Sequence, residues 1–167
     1  MCSDRNACLI NLNLFYAQNI KIAGGKDMVT PYITFEGNCS EALEFYQTAF
    51  SSKILMSQPY GEYVPEGVTA PPLNLKDWIL HAEMNICDTV FWFADEIAEP
   101  VSKGNMIKLT TKVPSAKEAQ KIFDVLSVGA HITLPPTKTF YSTFHAGLMD
   151  KYGVSWNLVA EEPPSQP

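Results

Sequence analysis

In the run WILHAEMNICDTVFWFADE, Trp78 to Glu96, the residues able to do chemistry are His81 and Glu83, two apart, with Asn85 two further on. An imidazole beside a carboxylate can move a proton, supply part of a metal site or fix a polar ligand. On a strand, successive side chains alternate faces. Leu80, Ala82, Met84 and Ile86 then form a core face, and His81, Glu83 and Asn85 point the other way. That second face either meets water or lines a cavity, and its apolar and aromatic neighbours favour pocket lining, with general-base work as a further option.

A second set of donors lies in NMIKLTTKV (Asn105–Val113) and VSWNLVA (Val154–Ala160). Read as a strand, the first puts Met106, Lys108 and Thr110 on the face opposite Ile107, Leu109 and Val113. If that sheet curls, Lys108, Thr110 and Asn157 become donors for an anionic or oxygen-rich ligand. Cys39 falls in the first turn of a helix, where the dipole could lower its thiol pKa. Nothing beside it in sequence can act as a base, so a structural thiol is the expectation. Phe91, Trp92 and Phe93 follow one another, must split between faces, and read as core. His131 reads as a surface residue at a strand start.

These residues are positioned by a pattern that occurs twice. NCSEALEFYQTAF (Asn38–Phe50) has Asn38 as N-cap, Glu41 three on, and a stripe of Ala42, Leu43, Tyr46, Ala49 and Phe50. SAKEAQKIFDVLS (Ser115–Ser127) repeats it with Ser115, Glu118, Ala119, Ile122, Phe123 and Leu126, and Gly129 ends it. Glu41-Ala42 and Glu118-Ala119 stand 77 residues apart. A strand precedes each helix, and three strand-like segments follow each; Cys87-Asp88 joins two of the first set as a tight hairpin. Both halves read β-α-β-β-β. The expected class is α+β, with the two modules forming a curled mixed sheet and the helices on its outer face. One domain is expected over 28–160, from repeats 28–96 and 104–160. Pro59–Asp77 is rich in Pro and Gly and reads as a mobile excursion, and 161–167 as a flexible tail.

At 167 residues, 46% hydrophobic and 18% charged, the chain can bury a core. Its net charge of −6 argues against a nucleic-acid or anionic-membrane partner. No apolar run reaches the roughly 20 residues that span a bilayer. Cys2, Cys8, Cys39 and Cys87 show no metal or disulfide spacing and read as reduced thiols of a cytoplasmic protein. Residues 1–27 read as an extension: Gly24-Gly25-Lys26 can be encoded by a purine-rich element ahead of Met28, so native translation is expected to start at Met28. N-terminal sequencing of the native protein tests that expectation.

PYITFEGNCSEALEFY (Pro31–Tyr46), HAEMNI (His81–Ile86) and TFYSTFHAGLMDKYGVSWNL (Thr139–Leu158) resemble the PhnB-like branch of the vicinal oxygen chelate superfamily, which includes glyoxalase I, bleomycin-resistance proteins and extradiol dioxygenases. The resemblance runs from about Met28 to Ala160. It implies a cup-like sheet, a homodimer, to which the apolar VFWF run (Val90–Phe93) also points, and, in the superfamily's metal enzymes, one divalent ion held by side chains of both halves. Carried onto this chain, the first-strand ligand position falls on Pro31, which cannot ligate. His81 and Glu83 can, and Asn157 stands where metal members carry Glu. His145 and Asp150 could swing in from the penultimate segment, and Lys108 would repel a cation. Phe140 and Tyr141 match the family's paired aromatics near the pocket mouth.

The branch also carries a demethylubiquinone methyltransferase label, for which a glycine-rich first turn would be needed and is absent. The expected function is a small-molecule binding protein or metal-independent member of the superfamily, with His81, Glu83, Lys108, Thr110, Tyr141 and Asn157 touching the ligand and no cofactor. The alternatives are a divalent-metal enzyme of glyoxalase or dioxygenase type using His81 and Glu83, and a drug-sequestering protein of bleomycin-resistance type.

Overall fold

The alternating runs and the two capped stripes become eight strands and two helices in a computed structural model that describes residues 28–63, 73–97 and 99–161. The order is β1 (Tyr32–Phe35), α1 (Cys39–Phe50), β2 (Lys53–Pro59), β3 (Ile79–Ile86), β4 (Thr89–Asp95), β5 (Leu109–Val113), α2 (Ala116–Leu126), β6 (His131–Thr137), β7 (His145–Met149) and β8 (Ser155–Ala160). Hydrogen bonding resolves two four-stranded sheets, ordered β1-β4-β3-β2 and β5-β8-β7-β6. In each, the strand before the helix pairs in parallel with the last strand of its module. The same order recurs in both, so the α+β class and the β-α-β-β-β repeat are as expected. The expected extension 1–27, most of the excursion within Pro59–Asp77 and most of the tail lie outside the described residues.

Contacts divide the chain into two compact units that do not follow the repeat. Among the described residues, one holds those up to Glu41 with those of Ile54–Met84 and Val90–Val101; the other holds Ala42–Lys53, Asn85–Thr89 and those from Ser102 on. In the first, Phe35 stacks on Phe93 with ring centroids 6.4 Å apart, and Leu80, Ala82 and Met84 are buried as the alternation requires. Phe91 and Phe93 are buried too, so they offer no apolar surface to a partner. Buried Asp95 accepts the amides of Gly37 (2.8 Å), Cys39 (3.0 Å) and Ile79 (2.8 Å), and so holds the chain entering α1 from outside the helix. Gly37, at φ +86, lies where a Cβ would stand 2.5 Å from the Trp78 ring, so both backbone and space demand glycine. Cys87 and Asp88 (φ 47 and 60) form the two-residue type I′ turn of the β3–β4 hairpin.

In the second unit, α2 opens as its sequence predicts, with Ser115 Oγ accepting from the Glu118 amide at 3.3 Å, and it buries Ala119, Ile122 and Leu126. Trp156 is fully buried against Tyr46 and Phe50, with centroids at 5.6 and 5.0 Å. Edge strand β6 carries Pro135 and Pro136, which a central strand could not. The expected strand from Asn105 starts instead at Leu109. The reason is register: Leu109 pairs with Trp156 and β8 begins at Ser155, so Ile107 has no strand residue opposite it. Met106 and Ile107 are accordingly 92% and 75% exposed, and Lys108 lies off the strand in solvent. Among the described residues, no helix is long and apolar enough to cross a membrane.

Candidate functional site

Strand β3 holds His81 and Glu83 on one face, as alternation requires, with His81 Nε2 3.4 Å from Glu83 Oε1. The imidazole is nearly fully covered, at 4% exposure, and the carboxylate is a quarter exposed. The cover comes from neighbouring strands. Parallel pairing of β1 with β4 sets Tyr32 opposite Trp92. The His81 and Trp92 rings lie 5.2 Å apart at 80°, Tyr32 and Trp92 6.1 Å at 83°, and Tyr32 and His81 6.4 Å at 74°. Three rings thus meet nearly at right angles in pairs, with a carboxylate beside one of them. Tyr32 is 47% exposed. Its hydroxyl is pushed up to about 12, by burial first, then by the charges of Glu96 and Cys39, so it stays protonated at neutral pH. Sequence reasoning missed Tyr32 and Trp92 as site residues, because only strand pairing brings them to His81. Asn85, last on the same strand face, has a buried Oδ1 without a hydrogen-bond partner among the described residues.

The other sequence-predicted donors belong to the second unit. Thr110 and Asn157 are register partners, and Asn157 Nδ2 donates to Thr110 Oγ1 at 3.3 Å. Tyr141 sits with its hydroxyl 2.6 Å from His145 Nδ1, and Phe140 beside it is 92% exposed. Lys108, off its strand, joins neither group. Asp150 corrects the expectation that it could swing toward a ligand. It is buried, and accepts from the Tyr46 hydroxyl (2.8 Å), Trp156 Nε1 (2.9 Å) and the amides of Tyr152 (2.9 Å) and Val154 (3.0 Å). Cys39 is fully buried, and desolvation, with Asp95 adding its charge, pushes its thiol up; the helix dipole does not win. Among the described residues, no three or more His, Cys, Asp or Glu side chains converge as a metal site would require.

Residues 27–159 match the family described as 3-demethylubiquinone-9 3-methyltransferase. The chain belongs to that family. Its similarity to the protein YjdN of Escherichia coli K12 is 25% identity over 147 residues, 81% of this chain and 97% of that one. Among solved structures, PA1353 of Pseudomonas aeruginosa superposes with a TM-score of 0.71 at 26% identity, covering 81% of this chain and 98% of the other. A PhnB protein of Bacillus cereus, described as a putative methyltransferase of the same kind, gives 0.66 at 25% identity, covering 80% and 99%. The fosfomycin resistance protein FosX of Listeria monocytogenes shares the fold alone, at a TM-score of 0.57 and 7% identity over 81% of this chain and 93% of that one. The family is PhnB-like and lies within the vicinal oxygen chelate superfamily, as the residues of the three motifs imply.

Proposed function

We propose that this chain is a small-molecule binding protein, a metal-independent member of its superfamily, whose ligand sits on the polar face of the first unit's sheet. The observation that carries this reading is His81: a covered imidazole, paired with a partly open carboxylate, and walled by aromatic rings of which Tyr32 is half open. Such a mixture of apolar wall and few polar groups is how small-molecule sites are lined.

A catalytic divalent ion takes about three protein ligands and an open position. His81 and Glu83 supply two, and Asp150 is consumed by its four donors. The donor set therefore does not fit a resident ion, and no step is routed through one. The methyltransferase description is not carried over either. Methyl donors held by doubly wound sheets need a glycine-rich first turn, and the turn after β1, Glu36-Gly37-Asn38, carries one glycine.

Two measurements test the reading. Protein purified without chelator or nickel is expected to carry far less than one divalent ion per chain, and a thermal-shift screen of small molecules is expected to give hits that His81→Ala loses. Stoichiometric metal that leaves with His81→Ala would establish the metal enzyme instead. The proposal includes a homodimer, to which exposed Met106, Ile107 and Phe140 are available, with sedimentation velocity as the check. It also includes a cytoplasmic setting, in keeping with the free thiols of Cys39 and Cys87.

A further inference from the structure

The two sheets are ordered alike, yet their outer strands are protected differently. β2 and β6 each follow a helix and each stand last in the order of their sheet, so among the described residues each has one side without a strand neighbour. An open edge is a template for another strand, and proteins guard such edges with proline, bulges or charge. β6 is guarded. Pro135 and Pro136 remove two donors, and its pairing with β7 shifts register twice. β2 runs from Lys53 to Gln58 without a proline, its one charge stands at its start, and none of its seven residues is buried.

The exposed side chains of β2 point to what covers it. Leu55 is 53% exposed and Met56 38%. As neighbours on a strand they lie on opposite faces. A helix laid on the sheet would cover one of them, whereas a further strand continuing the sheet covers both. The backbone is set for such a strand. The Tyr60 amide donates to the Trp78 carbonyl at 2.9 Å. Counting back by twos along an antiparallel ladder, Gln58, Met56 and Ile54 turn their backbone groups toward β3, and Ser57 and Leu55 turn theirs outward.

Charge selects the partner. Lys53 opens the strand and Glu62 lies three residues past its end, both exposed. Antiparallel pairing with a second copy lays the start of one strand beside the finish of the other, so each Lys53 approaches the other copy's Glu62. Parallel pairing would set like charges together. An antiparallel edge is also complementary to itself about a two-fold axis, as an isologous dimer requires.

We propose that β2 is the surface on which two copies of this chain meet, paired edge to edge as antiparallel strands. This rests on the homodimer included in the reading above and names its interface.

The test is sedimentation velocity of the full-length protein across a concentration series, with circular dichroism establishing that each variant is folded. The unaltered chain is expected to dimerise. Ser57→Pro removes an outward amide, which a solvent-facing edge tolerates and a paired one does not, and should raise the dissociation constant about tenfold or more. Leu55→Lys should do the same, and since Leu55 is half exposed it answers the question even if Ser57→Pro unfolds. Lys53→Glu and Glu62→Lys should each weaken the dimer about threefold, and the double reversal should restore most of the loss. A dimer that withstands Leu55→Lys would overturn β2 as the interface and leave the homodimer standing, as would one lost only in Ile107→Lys. Reversals whose effects add instead of cancelling would overturn the antiparallel pairing. A monomer at every concentration would overturn both the interface and the homodimer.

Discussion

Asp95 and Asp150 each sit almost fully buried and each spends its charge on backbone or ring donors of its own unit. A carboxylate with four donors is costly to remove, because every donor is left buried without its acceptor. Asp150→Ala is therefore expected to lower stability by about 3–5 kcal/mol and Asp150→Asn by about half as much, read from urea unfolding. Three of its donors lie within six residues of Asp150, but the fourth, the Tyr46 hydroxyl, comes from 104 residues away, and nothing local announces it. His81 and Glu83 were legible because a strand's parity needs only its own residues; Tyr32 and Trp92 were not, because parity says nothing of which strand lies alongside. Tyr32 carries its own pH signature. Its folded pKa is raised from 10.0 to about 12, so its contribution to stability is complete below pH 10 and is lost as pH rises toward 12. Tyr32→Phe is expected to flatten that alkaline loss, followed by circular dichroism at fixed urea, and an unchanged slope would count against the desolvated hydroxyl.

At the scale of elements, what could be read locally was read: the N-cap at Ser115, the hairpin turn at Cys87-Asp88, and the order of strands around both helices. The start of β5 was not, because periodicity continues through Ile107 and Lys108 while the partner strand does not. A strand ends where its neighbour ends, and that is a fact about β8. Another property hidden from local reading is Gly147 in the middle of β7. It pairs with Asn157, and a Cβ there would stand 2.8 Å from Thr133 Oγ1 and 3.3 Å from Asn157 Oδ1. The glycine lets two polar side chains approach across the strand from either side. Gly147→Ala should cost about 1–2 kcal/mol, since the short β-branched Thr133 can turn away only partly. Pairing it with Thr133→Ala should recover a large part, giving a coupling of about 0.5 kcal/mol or more in a double-mutant cycle of urea midpoints. Additive losses would show that Thr133 is not the obstacle.

For the whole molecule, the repeat written in the sequence and the units formed by packing are different partitions of one chain. The repeat is visible because each module carries its own capped, striped helix, and such stripes are local. Which sheet a stripe covers is not local. The stripe of α1 shows it: Tyr46 and Phe50 lie against Trp156, Phe45 lies 5.6 Å from Tyr152, and Lys151 sits 4.7 Å over the Phe45 ring, all within the second unit. The helix read as part of the first module thus supplies one wall of the second unit's core. It follows that the second module is not a folding unit by itself. A fragment of residues 102–161 lacks Phe45, Tyr46 and Phe50, and with them the Tyr46 hydroxyl on Asp150, leaving Trp156 and a buried carboxylate uncovered. It is expected to show a collapsed amide proton spectrum and no cooperative unfolding, in contrast to the full chain. A cooperative transition in that fragment would mean that α1 is dispensable to the core around Trp156, and that the module is the folding unit after all.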